Sequence, residues 1–178
     1  PLDKTAMDAA RLRQAQLAKP PGSLGRLEEL SIQLAGITGK VRNQIKKKHL
    51  LVFAADNGVV SEGVSSAPQS VTLQQAINLT RAKTGASTLC KHFGCDITVC
   101  DVGVNADIKD TKVLNRKIAY GTQNIIQGPA MTREQAMQAI AIGIELAMET
   151  EADVIGIGEM GIGNTTTSSA VLSVLLDT

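Results

Sequence analysis

The stretch Gly156-Ile-Gly-Glu-Met-Gly-Ile-Gly-Asn-Thr-Thr-Thr-Ser-Ser169 decides how this chain is expected to fold. It follows the apolar run 152–157, whose length and β-branched residues predict a buried strand. It precedes the apolar segment 170–176, which predicts a helix that lies against a sheet. Glycines let the backbone approach a ligand closely, and a helix N-terminus offers unpaired N–H groups with a partial positive charge. This strand–turn–helix arrangement therefore predicts an anion site, most often one for phosphate.

Two known phosphate-binding patterns match this stretch only in part. The first three glycines fit the dinucleotide pattern G-x-G-x-x-G, but that pattern belongs to the first strand–helix turn of a fold, whereas this match comes late in the chain. The segment 158–165 fits a P-loop except that Asn164 replaces the lysine that holds a triphosphate. We therefore expect this turn to bind a single phosphate rather than a triphosphate. The alternative is that Asn164 and Thr165 merely cap the helix, but a cap needs one such side chain and explains neither the hydroxyl run nor Glu159.

The amino-acid composition argues against several classes of binding partner. The chain has 178 residues, enough for one domain with a proper core, and its net charge of +1 does not indicate nucleic acid or an acidic membrane surface. It has one Tyr, two Phe and no Trp, so it lacks the aromatic platforms on which single-stranded nucleic acid stacks. No apolar run approaches the roughly 20 residues that span a bilayer, and no charged-then-apolar leader opens the sequence. These observations predict no nucleic-acid partner, no membrane and a cytoplasmic location.

The three cysteines, Cys90, Cys95 and Cys100, form no C-x-x-C pair, so the sequence predicts neither a disulfide framework nor a zinc site. His92 lies close to Cys90 in the sequence, which leaves a chance metal site as the alternative. Free cysteines are more often small buried hydrophobes. We expect no metal.

Strands and helices alternate along most of the chain. The patterns predict helices over 3–18 and from the cap Ser23 to 35, strands over 49–55 and 95–102, helices over 71–81 and 86–93, and an edge strand or hairpin arm within 112–120. Thr132 and Gln135 form a capping box for a further helix, whose predicted apolar stripe is Met137, Ile140 or Ala141, Ile144, and Ala147 or Met148. This order predicts an α/β fold, a doubly wound and mainly parallel sheet with helices on both faces.

Three predicted strands end in a carboxylate, namely Asp56, Asp101 and Glu159. Ligands of parallel α/β sheets bind beyond the carboxyl ends of the strands, so we interpret this edge as an active site. The alternative for Asp56 is an ordinary turn, because Asn57-Gly58 is also a strong tight-turn dipeptide. Carboxylates beside a phosphate turn must contact a part of the ligand other than the phosphate. A heterocyclic base that is cationic, or that loses a proton, fits that requirement.

Five motifs, taken in order, resemble those of the nicotinate-nucleotide–dimethylbenzimidazole phosphoribosyltransferase family. They cover nearly the whole chain, and the first and last are the most specific. They are Lys19-Pro-Pro-Gly-Ser-Leu-Gly-Arg-Leu-Glu28, Ala55-Asp-Asn-Gly-Val59, Glu62-Gly-Val64, Asp101-Val-Gly103 and Gly158-Glu-Met-Gly-Ile-Gly-Asn-Thr-Thr166.

The resemblance implies a Rossmann-like α/β nucleotide-binding domain over 46–178, incomplete here, and N-terminal helices over 1–45 that belong to a small helical domain. It implies a homodimer that uses no cofactor and transfers phosphoribose from nicotinate mononucleotide to 5,6-dimethylbenzimidazole in cobalamin lower-loop synthesis, giving α-ribazole 5′-phosphate and nicotinate. Glu159 is implied as a secondary catalytic carboxylate. Gln75 is implied as a contact of the benzimidazole, and Gly161 and its neighbours as contacts of the phosphate. The full set of implied substrate-binding residues is Gln75, Asp56, Asp101, Met160, Gly161, Gly163, Asn164 and Thr165.

The resemblance also implies a longer protein. Members of the family extend well past the point that corresponds to Thr178, and their principal catalytic glutamate lies in that later part. The chain therefore resembles an N-terminal half, which we expect to be inactive alone. A non-catalytic mononucleotide-binding module is the alternative, and a dinucleotide-dependent oxidoreductase is a more distant one.

Overall fold

A computed structural model describes residues 1–177 of the chain. Its helices are α1 to α6 and its strands are β1 to β4, with one 3₁₀ helix at Gly58–Glu62. Among these residues, no helix has both the length and the apolar character needed to cross a membrane. In chain order the elements are α1 Lys4–Ala15, α2 Arg26–Thr38, β1 Lys48–Ala55, α3 Val71–Thr80, α4 Gly85–His92, β2 Asp96–Gly103, β3 Val113–Asn115, α5 Arg133–Glu149, β4 Val154–Met160 and α6 Asn164–Leu176.

The described strands form one sheet in the order β3-β2-β1-β4, and every pairing in it is parallel. Strand β1 is central, with Val52 level with Val99 on β2 and with Gly158 on β4. Strand β3 lies at one edge, so the segment that could have been a hairpin arm is an edge strand. The topology confirms the predicted parallel α/β sheet.

Helices cover both faces of the sheet, as predicted. Ala76 and Leu79 of α3 pack with Val52 and Val99 on one face. On the other face the buried cluster consists of Leu51 and Cys100 from the strands and Ile142 and Leu146 from α5. Alternate residues of a strand point to opposite faces, so neighbouring Leu51 and Val52 serve different clusters.

Helix α5 begins as predicted but buries a different face. Its cap Thr132 accepts from the Gln135 N–H at 3.2 Å, and the Gln135 side chain accepts from the Thr132 N–H at 2.9 Å, which completes the capping box. The predicted apolar stripe was wrong as a sheet-facing surface, because Met137, Ile140 and Ile144 are each more than half exposed. Since α5 carries two apolar stripes, its periodicity alone could not identify the buried one.

The chain contacts divide the molecule into two compact units, Pro1–Ile45 and Lys46–Thr178. The first contains α1 and α2. It remains a prediction that the first unit belongs to a small helical domain and the second to the α/β nucleotide-binding domain.

The cap of α2 differs from the prediction. Gly25, not Ser23, is the N-cap residue, with a positive φ of 53° that favours glycine. A salt bridge between Lys19 and Glu28, with Nζ and Oε1 2.6 Å apart, holds the segment before the helix instead. Glu28 also accepts from the Leu24 N–H at 3.1 Å. The Lys19 hydrogen bond is the main cause that lowers the Glu28 pKa below its usual value. Lys19 and Glu28 thus link the two ends of the first family-like motif.

Candidate functional site

The glycine turn occupies fewer residues than the sequence suggested. Strand β4 continues to Met160, so Gly156, Gly158 and Glu159 belong to the strand, and the turn consists of residues 161–163. Two of the three glycines of the dinucleotide-like pattern, Gly156 and Gly158, therefore lie in the strand and not in a phosphate loop. Glu159 lies at the carboxyl end of a strand rather than inside the turn.

Gly161 is required by the protein's own packing. A Cβ there would lie well inside van der Waals contact of the Ala55 carbonyl oxygen and 2.9 Å from Asn57 Nδ2. Gly163 has φ +81°, and a Cβ there would lie 2.7 Å from Val60 Cγ2. The turn consequently sits directly against the end of β1, and this close approach explains both glycines without a ligand.

Three polar side chains from other elements hold the turn in place. Asn57 Nδ2 donates to the Ile162 carbonyl oxygen at 3.0 Å, and the Ile162 N–H donates to Thr72 Oγ1 at 3.0 Å. Thr167 Oγ1 donates to Asn57 Oδ1 at 3.1 Å, which ties α6 to the same asparagine. Asn57 follows Asp56 at the end of β1, and the sequence predicts it only as part of a tight turn. Thr72, which is fully buried on α3, had no local signal in the sequence.

Helix α6 begins at this turn without a side-chain cap. Its N-cap residue is Gly163, and Asn164 is the first helical residue, which excludes the simple capping role considered for Asn164 and Thr165. Among residues 1–177, no side-chain hydrogen bond is made by the four hydroxyl residues Thr165, Thr166, Ser168 and Ser169. An uncapped helix N-terminus with unbonded hydroxyls can bind an anion.

A cleft on the α3 side of the sheet brings together residues far apart in sequence. It has a volume of about 320 Å³, and Gln75 of α3 and Glu159 and Met160 of β4 contribute to its lining. The rest of the lining is mainly apolar and consists of Leu50, Val52, Leu79, Thr84, Ala86 and Gly158. An apolar cleft with few polar groups suits a flat heteroaromatic ligand.

The Glu159 carboxylate is fixed at the start of α6. Its Oε1 accepts from Asn164 Nδ2 at 2.5 Å, and the residue is exposed. Strand alternation directs Glu159 and Met160 to opposite faces of the sheet, and Met160 packs with the cluster under α3. The carboxylate therefore lies beside the helix N-terminus on the other face of the strand from Met160, which forms part of the cleft wall.

Asp101 is buried, with 1% of its surface exposed, and is bound within the protein. Its Oδ1 accepts from the N–H groups of Gly103 and Val104 at 3.1 and 2.9 Å, and its Oδ2 lies 2.8 Å from Lys117 Nζ. Lys117 also donates to the Val104 carbonyl oxygen and lies over the Tyr120 ring. These contacts support the backbone at the end of β2, so the part that Asp101 can play in binding is to position this segment.

Tyr120 extends the same network to the surface. Its hydroxyl donates to Asp107 at 2.6 Å, and this hydrogen bond is the main cause that raises the Tyr120 pKa.

Asp56 is also buried, at 2% exposure, but only one of its oxygens is bound. Its Oδ2 accepts from the Asn105 N–H at 2.7 Å, whereas its buried Oδ1 has no hydrogen-bond partner among the described residues. A buried carboxylate oxygen is costly to leave unpaired, so Asp56 is the one strand-end aspartate with acceptor capacity left. Among residues 1–177, no group of three His, Cys, Asp or Glu residues is arranged to hold a metal ion.

Comparison with known proteins agrees with the fold and the motifs. A family model described as phosphoribosyltransferase matches residues 1–178. The nicotinate-nucleotide–dimethylbenzimidazole phosphoribosyltransferase of Clostridium tetani is 48% identical over 98% of this chain and 49% of its own length. That of Ruminiclostridium cellulolyticum is 52% identical over 98% of this chain and 51% of its own length.

A crystal structure of the enzyme of the same name from Thermus thermophilus superposes on this chain with a TM-score of 0.94. It is 41% identical, over 99% of this chain and 55% of that one. The chain thus spans about half the length of the relatives that it matches.

Proposed function

The chain belongs to the nicotinate-nucleotide–dimethylbenzimidazole phosphoribosyltransferase family, and on this premise we propose that it carries the base-binding cleft and the phosphate turn of such an enzyme. The reaction is transfer of phosphoribose from nicotinate mononucleotide to 5,6-dimethylbenzimidazole, giving α-ribazole 5′-phosphate and nicotinate. The observation that supports it best is the shared cleft of Gln75, Glu159 and Met160 beside an uncapped helix N-terminus.

In this proposal the benzimidazole lies in the apolar cleft. Leu50, Val52 and Leu79 contact its ring faces, and burial of a flat apolar ring favours binding by removing its surface from water. The Gln75 amide, which can both donate and accept, binds a ring nitrogen. Met160 adapts the wall to the ring, as flexible thioether side chains do.

The phosphate of the mononucleotide lies at the N-terminus of α6. Gly161 and Gly163 bring the backbone there without side chains in the way, and Thr165 adds an unbonded hydroxyl. Asn164 separates the phosphate from Glu159 because its amide already donates to that carboxylate. This arrangement lets a carboxylate and a phosphate share one helix terminus.

The chemistry is a single displacement at the sugar C1′. The bond from C1′ to the nicotinate nitrogen breaks, and its electron pair neutralises the pyridinium, so the leaving group needs no acid. The unprotonated ring nitrogen of the benzimidazole forms the new bond to C1′ with inversion, and the proton on the other ring nitrogen passes to a carboxylate base. Glu159 acts as a secondary carboxylate that stabilises the positive charge developing at C1′.

Binding of the base provides a direct test. We expect Gln75→Ala to weaken 5,6-dimethylbenzimidazole binding by at least about tenfold, the range for loss of one hydrogen bond to a buried group. Gln74→Ala is the matched control, because Gln74 is the exposed neighbour on α3 and does not line the cleft. Calorimetric titration of both variants measures the effect, and equal affinities would remove Gln75 from the base site.

A non-catalytic mononucleotide-binding module is the second candidate. The turn 161–163 and the uncapped start of α6 are consistent with it, because they could bind the mononucleotide phosphate without any transfer. Titration with nicotinate mononucleotide and with NAD separates both candidates from an oxidoreductase, which would prefer NAD. A transfer assay then separates the two candidates, since only the enzyme forms α-ribazole 5′-phosphate.

A further inference from the structure

Two of the three cysteines lie at the two ends of the turn that terminates α4. The helix is capped by Phe93, and Gly94 follows the cap with a left-handed φ of 59°. The Cys95 N–H then donates to the Cys90 carbonyl oxygen at 2.8 Å. This bond, from the second residue after the cap to the third residue before it, is the outer hydrogen bond of a Schellman motif. The motif brings the side chains at these two positions together, and here both are thiols. We call Cys90 and Cys95 the turn thiols.

The turn thiols differ in their access to solvent. Cys90 is buried, with 9% of its surface exposed, whereas Cys95 is partly exposed. Burial is the main cause that raises the pKa of Cys90, and the neighbouring Cys95 thiol raises it further. The Cys95 thiol itself donates only to the Asp96 carbonyl oxygen at 3.5 Å, and a thiol is a weak donor. A reagent from solvent therefore reaches Cys95 first, with Cys90 behind it.

The third cysteine, Cys100, does not belong to this pair. It is 1% exposed and packs with Leu51 and Ile142 in the cluster under α5. Ala86 of α4 lines the cleft on the α3 side of the sheet. Helix α4 and the Cys100 thiol therefore lie on opposite faces of the sheet, and Cys100 serves as an internal reference for the turn thiols.

From this geometry we propose that Cys90 and Cys95 form a reversible redox site, at which a low-molecular-weight disulfide converts the two thiols into an intramolecular disulfide. The Cys95 thiolate attacks one sulfur of the oxidant R–S–S–R, whose S–S bond breaks, so that RS⁻ leaves and a mixed disulfide forms on Cys95. Cys90 then loses its proton and attacks the Cys95 sulfur, which forms the Cys90–Cys95 bond and releases the second RS⁻. The turn thiols lose two electrons and two protons, and the oxidant takes them up as two free thiols.

The position of the pair favours a switchable bond over a structural one. A disulfide needs the two backbones close together, and the direct hydrogen bond between Cys95 and Cys90 provides that proximity. The loop that the bond closes spans only residues 90–95, and a disulfide that closes a short loop constrains the unfolded chain little. The fold therefore does not depend on the bond, and either redox state is compatible with the same turn.

Oxidised glutathione is the probe that tests the site on the purified chain. After oxidation and alkylation of the remaining thiols in denaturant, we expect free thiols to fall from three to one, because two of the three are joined. The mass before alkylation should fall by about 2 Da for the two hydrogen atoms lost, and dithiothreitol should reverse the change. Trypsin cleaves after Lys91 and so places the turn thiols on two peptides that only their disulfide joins. Cys100→Ala is the matched control and should give the same cross-link.

Single variants test the order of the two steps. Cys90→Ala should stop at the mixed disulfide and gain one glutathionyl group on Cys95, whereas Cys95→Ser should leave the buried Cys90 reduced. Circular dichroism verifies that each variant is folded. Reaction of Cys90 in folded Cys95→Ser would overturn the assigned order.

The contribution of the fold is measured by repeating the oxidation in urea. The folded wild-type chain should favour the disulfide at least about tenfold more than the unfolded chain, because the turn holds the thiols together. Three free thiols in the oxidised wild-type chain would overturn the proposal, and so would a cross-link that includes Cys100 or one that folding does not favour. None of these outcomes depends on the proposed enzymatic activity.

Discussion

At the scale of single residues, Gly161 shows most clearly that a glycine can be required by packing rather than by ligand binding. The sequence suggested that a side chain here would block a phosphate, but a Cβ would first collide with the Ala55 carbonyl oxygen. Backbone atoms cannot give way as a flexible side chain can. The glycine is therefore needed for the fold, and any effect on binding follows from that.

We therefore predict that Gly161→Ala lowers the free energy of unfolding by about 1–3 kcal/mol, the usual cost of overpacking. Gly128→Ala is the control, because a Cβ at Gly128 meets nothing within 4 Å. Urea denaturation followed by circular dichroism measures both. Equal stability of the two variants would contradict the close approach of the turn to β1.

Lys117 and Asp101 form an ion pair whose side chains are only 12% and 2% exposed. Removing one partner of a buried pair leaves the other charge uncompensated. We expect Lys117→Met to lower the free energy of unfolding by about 3–5 kcal/mol. Lys47→Met, which breaks the exposed pair with Glu151, should cost at most about 1 kcal/mol. Chemical denaturation compares them, and similar losses would show that burial does not strengthen the Lys117 contact.

Glu159 is predicted to act through its charge. Its contacts allow this role to be tested without changing the stability of the protein. Glu159→Gln keeps the oxygen that accepts from Asn164 but removes the charge. In an enzyme that carries this site in its complete form, we expect kcat to fall roughly 10²-fold, with the unfolding midpoint unchanged. Glu149→Gln on α5 is the control for loss of an exposed carboxylate. A variant that loses stability but keeps its turnover per folded molecule would assign Glu159 a structural role.

At the scale of elements, strand β2 carries a thiol that titrates differently in the folded and unfolded chain. Burial is the main cause that raises the pKa of Cys100 from 9.0 to about 11. The folded state therefore keeps its proton at pH values where the unfolded state loses it, and stability falls as pH rises from about 9 to about 11.

We predict that this part of the pH dependence disappears in Cys100→Ala. The comparison is between the slopes of unfolding free energy against pH for the two proteins, because the absolute stability also changes with the lost sulfur atom. All other titratable groups are common to both proteins. An unchanged slope would mean that the Cys100 thiol ionises alike in both states.

At the scale of the whole molecule, β4 and α6 leave a large apolar surface exposed. The outer edge of β4 has no partner strand in the described chain, and its Ile157 is 80% exposed. No residue of α6 is buried, and Val174 and Leu175 are 82% and 76% exposed. An open strand edge beside an apolar helix favours association with another chain.

We therefore predict that these 178 residues associate through the β4 edge or α6, and that they catalyse no detectable phosphoribosyl transfer. Leu172→Glu/Leu175→Glu should reduce association, because it places charges on the exposed apolar surface of α6. Light scattering and a transfer assay on the purified chain measure the two parts. A monodisperse monomer would contradict the first part, and transfer at the rate of a complete family member would contradict the second.

The sequence alone determined the types and order of the elements, the parallel sheet and the place of the glycine turn. These features follow from local properties: strand and helix periods and the capping box at Thr132. Each acts over a few neighbouring residues, so the linear order of side chains is sufficient to predict them.

Only the tertiary structure decided which of these residues face one another. It buried Ile142 rather than Ile140, paired Asp101 with Lys117, and placed Gln75 on the same cleft as Met160. The physical reason is that such choices depend on burial and hydrogen bonding between residues distant in the chain. Two apolar stripes on one helix are equivalent until a sheet covers one of them, and a strand-end aspartate is free to bind a ligand only if no buried lysine binds it first.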